Sequence, residues 1–105
     1  MAWVYLFCAG LFEIGWPLGL KWGWTESGVR PLWVGFAVVC MAISGTLLFL
    51  AQREIAIGTA YAIWTGIGAV GTFALGIAVF GDPSSLLRLL SAALIVMGIV
   101  GLKLA

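Results

Sequence analysis

One carboxylate, Glu13, stands in the middle of the apolar stretch "AGLFEIGWPLGLK". An ionisable group at membrane depth is costly, so such an acid is first read as a site for a proton or a cation. Trp16 lies at i+3 and Gly10 at i−3, which places an indole N–H, the acid and a gap for close approach on one helical face. In "IGTAYAIWTGIGAVG" the pair Tyr61 and Trp64 repeats the i, i+3 spacing, and "CMAISGTLLFL" offers the hydroxyl of Ser44. Buried phenols and indoles seek hydrogen-bond partners. The strong acceptor at this depth is Glu13. Taken singly, each residue has a plainer reading: a protonated acid that joins helices by hydrogen bonding, or aromatics that pack or form an interfacial belt. Taken together they describe a carboxylate surrounded by donors.

The elements that must position these groups follow from composition. Of 105 residues, 64% are hydrophobic and 9% charged, with a mean hydropathy of +1.21. A soluble domain is nearer half apolar and a quarter charged. Crossing a bilayer takes about 20 apolar residues, and spans are expected at about 3–20, 32–51, 57–80 and 86–102. The expected fold is therefore an all-α integral membrane protein, a single domain over 1–105 with four transmembrane helices per chain. The first apolar stretch lacks a basic leader and is too long for a signal core, so it is expected to remain as a span.

Other classes find little support. No histidine and no CxxC occurs, and Cys8 and Cys40 lie within expected spans as small apolar filler. No metal, cofactor or thiol chemistry is expected, and no second catalytic group accompanies Glu13, so the chain does not read as an enzyme. A net charge of +1 and a pI near 7.8 point to no nucleic-acid partner.

The glycines suggest contacts and bending. Gly66, Gly68 and Gly71 cluster in the third span, where small residues permit close packing and local bends. Gly15 and Gly19 form a GxxxG in the first span, and Gly98 with Gly101 a narrower small-residue stripe in the fourth, read as a dimer contact. Pro17 should remove a helical hydrogen bond to the carbonyl of Glu13 and kink the first span.

Topology is weakly specified. With four spans, Arg53 and Lys103 fall on one side and Lys21, Arg30 and Arg88 on the other. Such a small bias barely orients a chain under the positive-inside rule. Insertion in both directions and an antiparallel homodimer are expected, the two-chain form of an inverted repeat.

These residues resemble the small multidrug resistance family of four-helix proton-coupled exporters, and within it the guanidinium-exporter branch. The resemblance covers essentially the whole chain: the central glutamate at Glu13, Ser44, "AYAIW" with Tyr61 and Trp64, the "FGDP" loop and the "GIVGLK" ending. The glutamate and AYAxW element are shared by the family, whereas Trp16, "WTGIGA" and the terminal "GLK" are similar to the guanidinium branch. The resemblance implies an antiparallel dimer in the cell's inner membrane, in which two Glu13 carboxylates bind either guanidinium or protons and the dimer alternates between inward-open and outward-open forms. It assigns Trp16 and Ser44 to holding the carboxylate, Tyr61 to orienting or gating it and Trp64 to completing its hydrogen-bond shell. Guanidinium is planar, with donors that meet carboxylates in pairs.

Three departures stand out: Pro17, a longer first loop "KWGWTESGVRP" with additional tryptophans, and Gly45-Thr46 in place of bulkier residues. The last would leave space beside the slot for guanidiniums carrying a tail. Two alternatives remain: a polyaromatic or quaternary-ammonium multidrug exporter, which Trp16 disfavours by filling space, and a non-transporting partner subunit of a heterodimer.

Overall fold

The computed structural model describes all 105 residues. Four helices, α1 (Ala2–Gly23), α2 (Pro31–Ala51), α3 (Ile57–Phe80) and α4 (Leu86–Leu104), make up almost all of it. All four are long and apolar enough to cross a membrane. In hydrocarbon no water can satisfy the backbone, so an apolar run of this length closes its own hydrogen bonds as a helix.

The helix ends follow local chemistry. Pro31 opens α2, where its missing N–H would have had no helical partner. Gly81 adopts a left-handed conformation (φ 70°) after α3, and the Asp82 N–H returns 3.0 Å to the Gly76 carbonyl. That is a left-handed glycine stop, for which glycine has no Cβ penalty. Ser85 caps α4 by accepting from the Arg88 N–H at 3.4 Å. α1 continues as one helix through Pro17.

The all-helical expectation needs one local amendment. Within the first connection Trp24–Thr25 pairs antiparallel with Gly28–Val29, forming a minimal hairpin around Glu26 and Ser27. Thr25 closes it by donating to the Gly28 carbonyl at 2.6 Å, and Gly28 takes φ 133°, which disfavours a side chain. The turn residues Thr, Ser and Gly in "WTESGV" carried this signal.

α1 is the central element. It packs along both α2 and α3, while α4 leans mainly on α3. Gly15 and Gly19 allow the α1–α2 approach: a Cβ at Gly15 would lie 2.6 Å from Cys40 Sγ, and one at Gly19 2.9 Å from the Trp33 carbonyl oxygen. The main buried cluster, Ala2, Leu6, Ala51, Ile55, Ala60 and Ile63, ties the start of α1 to the end of α2 and the start of α3. At the other end Trp22 packs at a tilt against Trp33 and Phe80, with ring centroids 5.0 and 5.6 Å away.

The molecule is a slab of 48 × 35 × 16 Å. A single helix with side chains is already about 10–12 Å across. The thin dimension therefore leaves most side chains on a face, and α4 contributes no buried residue.

Candidate functional site

Glu13 projects from mid-α1 toward α2 and α3, and the donors expected around it divide into two layers. The Trp16 indole N–H donates directly to Glu13 Oε1, joining two residues one helical turn apart. Ser44, 1% exposed on α2, donates to the Ala9 carbonyl at 2.7 Å and lies 3.4 Å from Glu13 Oε2. A hydroxyl has one proton, so the shorter contact holds it here and the carboxylate is the alternative acceptor. Trp64 donates its indole N–H to Ser44 Oγ at 2.8 Å. Trp64 therefore reaches Glu13 through Ser44 rather than directly.

That relay has a chemical consequence. Ser44 can rotate its proton from Ala9 to Glu13 without losing the bond it accepts from Trp64. A carboxylate that changes charge, by taking up a proton or a cation, thus faces a donor that can follow it.

Gly68 supplies the seat on α3. A Cβ there would lie 2.6 Å from Glu13 Cγ, so the glutamate side chain runs over bare helix backbone. Gly10 performs the same service one turn away, where a Cβ would meet Ile67 at 2.7 Å, and Gly66 admits Ile99 of α4. Gly98 and Gly101 meet nothing within 4 Å. Tyr61 is 56% exposed, with its ring centroid 5.4 Å from that of Trp64, and its hydroxyl has no partner within the chain.

A cavity of about 410 Å³ opens beside Glu13 and Trp16. Pro17 lines it, as do Thr65 and Thr72 of α3, and Asp82 and Arg88 stand at its far end. Sequence reasoning used Arg88 only for topology and gave neither residue a place in the site. The signal that they belong here is the shortness of the Gly81–Ser85 connection, which keeps Asp82 and the first turn of α4 beside the end of α3. Asp82 folds its carboxylate back over Gly76, which has no side chain to obstruct it. The Arg88 guanidinium lies 5.5 Å from the Phe73 ring centroid, and its Nε donates to the Pro83 carbonyl at 2.8 Å.

Four helices long and apolar enough to span a bilayer, with a carboxylate at mid-depth of the first, define a multi-pass membrane protein. The Small Multidrug Resistance protein family matches residues 1–95, and the chain belongs to that family. It is 50% identical to the guanidinium exporter of Yersinia pseudotuberculosis serotype I (strain IP32953) over all of this chain and 99% of that protein. The same identity and coverage hold for the guanidinium exporter of Proteus vulgaris. The guanidinium exporter of Escherichia coli (strain K12) is 46% identical over all of this chain and 98% of its own length.

Proposed function

We propose that the chain exports guanidinium, and guanidinium ions bearing a substituent, in exchange for protons across the cell's inner membrane. The observation that carries this reading is the Glu13 cluster: a mid-span carboxylate held by Trp16, with Ser44 and Trp64 behind it. Full-length relatives named guanidinium exporters support the choice of cation.

The working unit in this reading is an antiparallel homodimer with one shared site. Its two Glu13 carboxylates face a planar cation whose paired donors match them, and protons compete for the same oxygens. That competition couples the two fluxes, because only the loaded dimer changes between inward-open and outward-open forms. Tyr61, half-exposed beside Trp64, is available to the second protomer's side of the slot. The 16 Å slab and the uncovered α4 support a second layer of protein.

Gly45, with no neighbour within 4 Å of where its Cβ would be, supports admission of a tail. Thr46 keeps its hydroxyl on the Ala42 carbonyl at 2.8 Å and so presents no free donor there.

The test is transport by the purified chain alone in liposomes, read as capacitive currents on a solid-supported membrane. Guanidinium and a phenyl- or alkyl-guanidinium should evoke currents that vanish in Glu13→Gln. Currents only for a quaternary ammonium drug would favour the multidrug reading. Silence for every cation would favour an obligate partner chain. Reporter fusions at the C-terminus should be active on both sides of the membrane; a single orientation contradicts the dual-topology dimer.

A further inference from the structure

Three cations rest on aromatic rings near the ends of the spans: Lys21 on Phe80 at 5.7 Å, Lys103 on Trp3 at 5.0 Å and Arg88 on Phe73 at 5.5 Å. The first two have the ordinary explanation that long cationic side chains reach toward the interface along apolar surface. Arg88 differs in chemistry and in place. Its head group is a guanidinium, the same planar ion the proposed substrate presents, and its ring partner Phe73 lines the cavity that ends on Glu13. Phe73 and Arg88 also line the neighbouring cavity of about 490 Å³ between α3 and α4. The pair is thus the wall between the polar cavity and an apolar groove.

The Arg88 head is held by two elements that recognise any guanidinium. An aromatic face attracts a cation within about 6 Å of its centroid, and the Pro83 carbonyl accepts from Nε at 2.8 Å. Neither interaction needs a carboxylate. Although Asp82 and Glu13 line the same cavity, no ion pair holds Arg88 there. A charge-assisted bidentate pair would make the arginine hard to displace; a ring and one carbonyl make it exchangeable.

We infer that the Phe73 ring and the Pro83 carbonyl form a second guanidinium-binding station at the outer end of the Glu13 cavity, occupied by Arg88 until a guanidinium ion replaces it on its way to or from Glu13. The inference rests on the proposed substrate class, but the station itself is defined by binding rather than by transport. Arg88 is then a specificity-determining residue: it competes with guanidinium ions at the entrance, and cations that cannot stack on the ring do not displace it.

Fluorine NMR tests the station directly. The protein is labelled with 4-fluorophenylalanine in detergent, the Phe73 resonance is assigned by its loss in Phe73→Leu, and guanidinium chloride is titrated at constant ionic strength against sodium chloride. In the Glu13→Gln background, where the central site is disabled, the Phe73 resonance should still shift saturably with guanidinium and not with sodium. Arg88→Ala should strengthen that apparent affinity several-fold, and Arg88→Lys should fall between it and wild type. A Phe73 resonance indifferent to guanidinium in both Glu13→Gln and Glu13→Gln/Arg88→Ala overturns the station and leaves the central site untouched.

Transport separates the two readings further. In the Glu13-intact protein, Phe73→Leu should raise the KM for guanidinium several-fold with kcat changed less than twofold, and Arg88→Ala should lower it. If both variants keep wild-type KM while guanidinium currents are robust, the station fails and the exporter reading stands. If the wild type carries no guanidinium current while the resonance still shifts, the exporter reading fails and the station stands.

Discussion

The glycines of α1 and those of α4 occupy helices of similar character but have opposite surroundings. At Gly10, Gly15 and Gly19 a single added carbon would run into Ile67, Cys40 or the Trp33 carbonyl, whereas at Gly98 and Gly101 it would meet open space. Small residues in a membrane helix let another helix approach. Those of α1 have been used within the chain, and those of α4 have not. The contrast separates the interlocked part of the molecule, α1 to α3 around Glu13, from α4, whose glycines no other helix covers and which the proposed dimer would place against the second copy.

Substitutions that fill these gaps should sharpen the contrast. Gly19→Ala forces α1 away from the α2 backbone and should destabilise the chain by about 1–3 kcal/mol, the usual range for overpacking. Unfolding in mixed detergent micelles reads it. Gly98→Leu should leave that stability within about 0.5 kcal/mol, as for an uncovered surface position. It should instead lower the dimer fraction in a cross-linking or energy-transfer assay. If Gly98→Leu unfolds the single chain, or leaves the dimer intact, α4 is not the contact helix.

Within the folded part, Ser44→Ala is expected to come next in size. It leaves the partly buried Trp64 indole N–H without its acceptor and removes the movable donor to Glu13, which costs about 1–3 kcal/mol. Stability should fall by that amount and the KM for guanidinium should rise roughly tenfold. Ser44→Thr, which keeps the hydroxyl, should restore most of the KM; failure to do so would detach Ser44 from the carboxylate's chemistry.

The smallest effect is expected at Gly45. A phenylalanine there fills space that no residue of the chain uses. Currents evoked by guanidinium itself should be unchanged, and those evoked by a tail-bearing guanidinium should drop. Equal currents for both would remove the portal from the account.

What the sequence made legible was the covalently local part of the site and the solvent it lives in. Composition alone called for four spanning helices, and the i, i+3 spacing put the Trp16 indole on the same helical face as Glu13, where the structure joins them. The relay through Ser44 was not legible in detail. Its first acceptor is the Ala9 carbonyl, a backbone atom on another helix, and no side-chain pattern announces a backbone partner. Gly68 was read as a contact or a bend, yet its place against Glu13 Cγ depends on the rotation of α3 about its axis. That rotation is set by packing with α1. Asp82 and Arg88 were read only as charges around the third connection, because hydropathy marks where a span ends, not which side of the helix the charges beside it fold back along. The hairpin at Trp24–Val29 was passed over for a related reason: two residues per strand give no alternation to read.

The most direct test of the central proposal, that one mid-span carboxylate serves both guanidinium and protons, is a flux measurement with a pH-sensitive dye trapped in proteoliposomes. An outward guanidinium gradient should drive protons inward through the wild-type protein. Glu13→Gln, purified with unchanged helix content, should move neither ion. Proton movement that persists in Glu13→Gln, or guanidinium flux through the wild type with no accompanying proton movement, would contradict the account.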